Sequence, residues 1–95
     1  MSTEQSDQKM LYRALLLLKT EEECADFLRD LLTDEEIEDF VSRWKIARML
    51  DEKVSYEEIQ NITKRSSTTV ARVSKWLKKS KSGYRIILDR LKEER

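Results

Sequence analysis

Residues 55–77 read SYEEIQNITKRSSTTVARVSKWL, and this is the most informative stretch of the chain. Its apolar residues repeat at helical spacing in two short segments, the first after Ser55 and the second from about Ser66 or Ser67. The predicted inward residues are Ile59 and Ile62 in the first segment, and Val70, Val73 and Leu77 in the second. Two short helices joined by a turn of three or four residues are typical of a helix-turn-helix unit, which we place at about 55–79.

Two residues depart from the usual helix-turn-helix pattern. Lys64 occupies the turn position that usually holds glycine, because the backbone there needs a positive φ. Gln60 stands where a small alanine usually lets the two helices approach closely. A non-glycine residue in this turn costs about 1 kcal/mol, which a packed fold tolerates.

The charge of the chain changes sign within this stretch. Residues 1–62 hold sixteen acids and eight bases, whereas residues 63–95 hold eleven bases and three acids. The net charges are therefore −8 and +8. Between 63 and 81 there are seven bases and no acid, namely Lys64, Arg65, Arg72, Lys75, Lys78, Lys79 and Lys81. A basic patch on the second helix of a helix-turn-helix predicts contact with the phosphates of duplex DNA.

Candidate contacts follow from the face that the second helix turns outward. Small hydroxyl side chains at its start allow close approach to base edges, and an arginine can bind guanine or phosphate. The predicted base contacts are Ser67, Thr68, Ala71 and Arg72. The predicted phosphate contacts are Lys64, Arg65, Lys75, Lys78 and Lys79, to which a family resemblance adds Arg43, Thr69 and Ser74. Helix capping is an alternative role for the Ser/Thr cluster, and both roles can coexist.

The rest of the chain predicts an all-α fold of about six helices. Three capping boxes, Thr20 with Glu23, Thr33 with Glu36 and Ser55 with Glu58, predict helices near 21–32, 34–50 and 56–63. A first helix is expected over 9–19 and a last one over 84–94. Residues 1–8 are predicted to be a flexible tail, and residues 9–95 one DNA-binding domain. The 34–50 helix is expected to bury one stripe, formed by Ile37, Phe40, Val41, Trp44 and Ala47.

The first helix carries more apolar surface than one helix face can bury. Its LLLL run, residues 15–18, is apolar on several sides, which suggests that a partner subunit covers part of it. The predicted dimer core consists of Leu11, Leu15, Leu16, Leu18, Phe27 and Leu31.

The composition argues against an enzyme. The chain has no His, so catalytic triads and imidazole metal sites are absent, and Cys24 is its single cysteine. Neighbouring acids such as Glu57 and Glu58 stand in predicted first helical turns, where they offset the helix dipole. No metal or other cofactor is predicted. No segment reaches the roughly 18 apolar residues of a membrane span, and the polar start lacks a signal-peptide core, so we expect a cytoplasmic protein without membrane contact.

Over about residues 10–91 the chain resembles the Trp repressor superfamily, in particular its small YerC/YecD-like branch. The resemblance rests on LYRALLLLKTEEECADFLRDLLT (11–33), DEEIEDFVSRWKIARMLDEKVSYEEI (34–59), STTVARV (67–73) and GY (83–84). It implies an intertwined homodimer in which the N-terminal helices cross between subunits. It also implies a DNA-binding transcriptional regulator, which we expect to be a repressor.

The resemblance also assigns individual positions. Ser67, Thr68 and Ala71 fall where the family reads bases, and Thr69, Ser74 and Lys75 fall where it holds phosphates. Thr33, Arg43 and Arg72 match side chains of the tryptophan pocket. However, Val73 replaces the glycine beside the indole, and Trp76 replaces a serine. We therefore do not expect tryptophan to be a co-repressor, and no effector pocket is evident.

Two other classes of protein remain possible on the sequence. One is a protein-interaction module whose basic surface meets an acidic partner. The other is a polymerase-associated domain that resembles the promoter-binding end of a sigma factor. The first predicts weak, sequence-independent DNA binding, and the second predicts a monomer.

Overall fold

The computed structural model describes residues 3–94, and within them every regular element is a helix. The six helices are α1 (Thr3–Leu16), α2 (Glu21–Leu31), α3 (Asp34–Asp51), α4 (Tyr56–Thr63), α5 (Ser67–Leu77) and α6 (Gly83–Glu93). The predicted all-α fold with six helices is confirmed. Within the described residues no helix combines the length and the apolar character needed to cross a membrane.

Side-chain caps begin the helices where the sequence predicts them. The Thr20 and Ser55 hydroxyls accept hydrogen bonds from the N–H groups of Glu23 and Glu58, at 3.0 and 3.2 Å. At the start of α3 the capping box is fully reciprocal. The Glu36 N–H donates to the Thr33 hydroxyl at 3.1 Å, and the Thr33 N–H donates to the Glu36 carboxylate at 2.9 Å. These bonds satisfy backbone donors that a helix start leaves unpaired.

The chain divides into two compact units, Met1–Ile37 and Glu38–Arg95. The second unit holds the buried core, in which Ile46, Ile59 and Val70 are completely shielded from solvent. Ala47 and Val73 complete this cluster, and partly buried apolar residues pack against it, among them Trp44, Met49, Leu50, Val54 and Tyr84. The core therefore joins α3 to both helices of the helix-turn-helix.

The first unit has no buried residue in either α1 or α2. Large apolar side chains are exposed there, with Leu16 at 85% and Leu17 at 73%. All six predicted dimer-core residues are exposed or only half-buried within the single chain, namely Leu11, Leu15, Leu16, Leu18, Phe27 and Leu31. Apolar burial is the main source of folding free energy, so these helices lack the cover that usually stabilises a helix in water.

Three predicted details differ from the structure. First, α1 runs from Thr3 to Leu16 rather than over 9–19, so residues 3–8 are helical, while residues 1–2 of the predicted tail lie outside the described residues. Second, the single buried stripe on α3 is wrong: Phe40 and Val41 are exposed, and the unpredicted Ile46 is buried beside Ala47. The helix has apolar residues on several faces, so spacing alone did not identify the covered one. Third, Ile62 on α4 is half-exposed rather than inward.

The C-terminal end of α3 is tied to α6 through Asp51. Its carboxylate, which is 10% exposed, lies 2.9 Å from both Lys92 Nζ and Arg85 Nη1. The hydrogen bond from Lys92, helped by Arg85, lowers the pKa of Asp51 below its ordinary value of 3.8 and outweighs the opposing effect of burial. Asp51 and Asp89 in turn raise the pKa of Arg85. The ion pairs therefore favour the charged form of this carboxylate in the folded chain.

Candidate nucleic-acid interface

The turn between α4 and α5 has the geometry of a helix-turn-helix. Lys64 adopts the left-handed conformation with φ 61° and ψ 23°, and its N–H donates to the Gln60 carbonyl. A positive φ at this position is what the sequence predicts, although a lysine supplies it. The packing positions also agree, because Ile59 and Val70 are completely buried.

The N-terminus of α5 presents hydroxyl groups in two different roles. Ser66 is the cap: its hydroxyl accepts a hydrogen bond from the Thr69 N–H at 3.2 Å and lies 3.1 Å from the Thr69 hydroxyl. Ser67 and Thr68 are exposed, and no hydrogen bond of their side chains is found within residues 3–94. Their hydroxyls are therefore available to an external partner, whereas that of Ser66 is used by the fold.

Most of the predicted DNA contacts lie at the surface of the second unit. All four predicted base contacts are exposed, namely Ser67, Thr68, Ala71 and Arg72. Of the predicted phosphate contacts, Arg43, Lys64, Lys75, Lys78 and Lys79 are exposed, and Arg65 and Thr69 are half-buried. The structure therefore supplies an accessible cationic surface around α5.

Ser74 does not fit the role that the sequence suggests. It is only 4% exposed and lies on the buried face of α5 together with Val70 and Leu77. Residues three and four positions apart share a helix face, so Ser74 points in the same direction as these core residues. The phosphate contact predicted for Ser74 therefore lacks the side-chain exposure that it would need.

Arg65 and Lys79, both on the predicted surface, have partners that the sequence did not reveal. Arg65 is paired with Asp39, at 2.9 Å between Nη1 and Oδ1, and its Nε donates to the Ser42 hydroxyl at 3.2 Å. Lys79 Nζ lies 4.1 Å from the centroid of the Trp76 ring, a cation–π contact. Asp39 and Ser42 precede Arg65 by more than twenty residues, so no local spacing indicates this contact.

A small cavity lies beside α5 at the positions that match the family's tryptophan pocket. Its volume is about 180 Å³, and it is lined by Arg43, Thr69, Arg72, Val73, Trp76 and Tyr84. Val73 is buried in the core cluster, so its side chain fills part of the space that a glycine leaves open. Thr33, the third matching residue, caps α3 through its hydroxyl.

Comparison with known proteins shows the family to which the helical chain described above is similar. The family model described as "Trp repressor protein" matches residues 6–92. The uncharacterized protein YerC of Bacillus subtilis (strain 168) is 40% identical over 83 residues, which are 87% of this chain and 80% of YerC.

Two solved structures have the same fold. A TrpR-like protein from Eubacterium eligens ATCC 27750 superposes with a TM-score of 0.82 at 35% identity, and the match covers 87% of this chain and 86% of that one. A protein from Staphylococcus aureus, described as a candidate Trp repressor, superposes with a TM-score of 0.86 at 32% identity, over 97% and 95% of the two chains.

Proposed function

The chain belongs to the Trp repressor family, a family of DNA-binding regulators, and on this premise we propose that it is a sequence-specific transcriptional repressor. In this proposal it binds operator DNA as a homodimer and inserts α5 into the major groove. We place this regulator in the cytoplasm, because its relatives are bacterial proteins and bacterial DNA lies in the cytoplasm.

The observation that carries the proposal is the pairing of free hydroxyls with a cationic surface at α5. Ser67 and Thr68 stand exposed at its N-terminus, and Ala71 and Arg72 follow one turn later on the accessible side. Side chains at the start of a recognition helix are those that reach base edges. Arg43, Lys64, Thr69, Lys75, Lys78 and Lys79 surround them as proposed phosphate contacts, which position the helix without reading sequence.

The exposed apolar residues of α1 and α2 support a homodimer. Leu16 and Leu17 are largely exposed in the single chain, and Met10 is 66% exposed. Monomeric proteins rarely leave so many large apolar side chains in water, and such a surface marks an interface. In a symmetric dimer the same surface of each copy covers the other, which brings two α5 helices to one DNA duplex. We expect half-sites about 34 Å apart, or one turn of the duplex.

We do not propose tryptophan as a co-repressor. Val73 and Trp76 line the same cavity as Arg43 and Arg72, and Trp76 is an indole supplied by the chain itself. The regulator in this proposal binds its operator without that ligand.

The proposal is tested by selecting binding sites from a random duplex pool at about 0.15 M salt. An enriched inverted repeat with half-sites one helical turn apart is the expected result. The two other classes of protein give different results: no enrichment indicates a protein-interaction module, and a monomer in light scattering at micromolar concentration indicates a polymerase-associated domain.

A matched pair of variants tests whether a hydroxyl at the start of α5 contributes to base readout. Thr68→Ala should change the preference among enriched sequences, because it removes a hydroxyl from the start of α5. Ser80→Ala, which removes an exposed hydroxyl after the end of α5, should leave the preference unchanged.

A further inference from the structure

Arg65 lies in the turn of the helix-turn-helix, but its side chain is bound to α3. Its guanidinium contacts Asp39 at 2.9 Å and the Ser42 hydroxyl at 3.2 Å. Its backbone N–H donates to the Thr63 hydroxyl at 3.3 Å, and that hydroxyl donates to the Ile59 carbonyl at 2.8 Å. A continuous set of hydrogen bonds therefore runs from the end of α4 through the turn to α3.

The contact between Asp39 and Arg65 is the one ion pair between α3 and the helix-turn-helix among the residues that the structure describes. The other ion pairs made by α3 join Asp51 to Arg85 and Lys92. The remaining connection between α3 and α5 is apolar, through Val70 and Val73 in the core cluster. Apolar contacts are non-directional, whereas charge-assisted hydrogen bonds donated by a planar guanidinium fix both distance and angle.

The position of Arg65 in the chain couples its contact with Asp39 to the position of the start of α5. Arg65 directly precedes Ser66, the cap of α5, and stands two residues before the exposed Ser67. A shift of the Arg65 backbone therefore moves the end of α5 that carries the proposed base contacts. A misplacement of about 1 Å exceeds the tolerance of a bidentate hydrogen bond to a base.

We infer that Asp39 and Arg65 form an anchor that sets the orientation of α5 and thereby determines sequence selectivity. Both are positioning residues, and Arg65 is held by Asp39 rather than by a DNA phosphate. The inference rests on the proposed function. Partly exposed ion pairs add little to folding stability, so the expected effect lies in selectivity rather than in unfolding.

The test compares Asp39→Asn, Arg65→Gln and the double variant with the wild type. The measured quantity is the selectivity ratio, which is the dissociation constant for a scrambled duplex of equal length divided by that for the selected duplex, at several salt concentrations. Each single variant should lower this ratio about tenfold, within the range of one mismatched base pair. The double variant should lose no more than either single variant, because the two residues act as a unit.

Glu38→Gln is the matched control, because Glu38 is an exposed acid next to Asp39 and makes no ion pair within residues 3–94. It should leave the ratio unchanged, and an effect equal to that of Asp39→Asn would overturn the anchor. The anchor is also overturned by the following pair of results. Arg65→Gln reduces the slope of log affinity against log salt concentration by about 0.9, and Asp39→Asn strengthens binding to both duplexes. That pattern would make Arg65 a phosphate contact restrained by Asp39.

Hydrogen exchange without DNA tests the anchor independently of the proposed function. Asp39→Asn and Arg65→Gln should speed exchange of the backbone amides over 64–70 and leave those over 86–92 unchanged. If the wild-type protein selects no sequence, the proposed function fails. The hydrogen-exchange measurement still tests whether the contact between Asp39 and Arg65 holds the start of α5 in place. Faster exchange confined to 64–70 supports the anchor, and unchanged exchange in both variants overturns it.

Discussion

In the helix-turn-helix region Ile59 and Val70 are completely buried within one chain, whereas in α1 and its following turn Leu16 and Leu17 are 85% and 73% exposed. The two regions also differ in charge, because the bases gather after residue 62 and the acids before it. One region supplies its own core and a cationic surface. The other supplies apolar side chains that the single chain leaves exposed, and these form the proposed dimer surface. The difference separates the part of the chain that is proposed to meet DNA from the part that is proposed to join two subunits.

The largest effect is expected in the core of the second unit. Ile59→Ala should reduce the free energy of unfolding by about 3 kcal/mol, because it removes buried methyl groups and leaves a cavity. Ile62→Ala is the matched control on the same helix and should cost about 1 kcal/mol or less, since Ile62 is half-exposed. Urea unfolding at fixed protein concentration measures both. Equal losses would show that the partner subunit covers Ile62, and the contrast between the regions would then be weaker.

The next effect concerns the first unit. Leu16→Asp should weaken the proposed dimer by about 2 kcal/mol, or roughly 30-fold, because a carboxylate replaces an apolar side chain in the interface. Analytical ultracentrifugation over a concentration series measures the dissociation constant. Gln8→Asp, which adds the same charge at an exposed polar position of α1, should have a much smaller effect. A dimer that tolerates Leu16→Asp would place the interface elsewhere.

The cationic surface is tested by removing two exposed lysines of the second unit. Lys75→Ala with Lys78→Ala should weaken binding to all duplexes alike and reduce the slope of log affinity against log salt by about 0.9 per lost contact. Lys45→Ala is the control, because Lys45 is exposed but lies outside the basic run. If the double variant binds as the wild type does, this surface is not the DNA face.

A smaller effect depends on pH. The ion pairs with Lys92 and Arg85 lower the pKa of Asp51, so their stabilising effect is complete above about 3.8 and is lost as the pH falls through the lower folded-state value. Asp51→Asn should therefore cost about 1 kcal/mol at pH 7 and progressively less below pH 4. Thermal unfolding from pH 7 to pH 3 measures the difference. Asp89→Asn, at a more exposed site, should cost less at pH 7.

The smallest effect is expected at the left-handed lysines. Lys64 and Lys53 have φ values of 61° and 67°, a conformation that glycine adopts without strain. Lys64→Gly should raise the free energy of unfolding by about 0.5 kcal/mol, since the relief of strain exceeds the greater flexibility of the unfolded chain. Lys53→Gly provides a second case at the end of α3. A loss of stability in both would show that the lysine side chains contribute more than the backbone costs.

Local chemistry made much of this fold predictable from the sequence. Hydroxyl caps followed by glutamates predicted where α2, α3 and α4 begin. The position of Lys64 in the turn predicted its positive φ. The burial of Ile59 and Val70 followed from their spacing. These features depend on neighbours within four residues, so a sequence displays them directly.

The features that the sequence did not reveal depend on distant partners. Phe40 and Val41 look like core residues, but the single chain leaves them exposed. The ion pair of Asp39 with Arg65 joins positions 26 residues apart, and many acids and bases of this chain could have paired instead. Ser74 was assigned to DNA by its position in the family, whereas the face that it occupies on α5 is fixed by packing on the core.

The placement of the two indoles gives the chain a built-in optical reporter. Trp44 stacks on Tyr84 with ring centroids 6.3 Å apart, and Trp76 lies under the ammonium group of Lys79. Both belong to Glu38–Arg95, and the first unit contains no tryptophan. Intrinsic fluorescence excited at the indole band therefore reports on the unit Glu38–Arg95, which carries the proposed DNA face. Because Trp76 is half-exposed beside the proposed DNA face, its emission should respond when a duplex binds, without any attached dye.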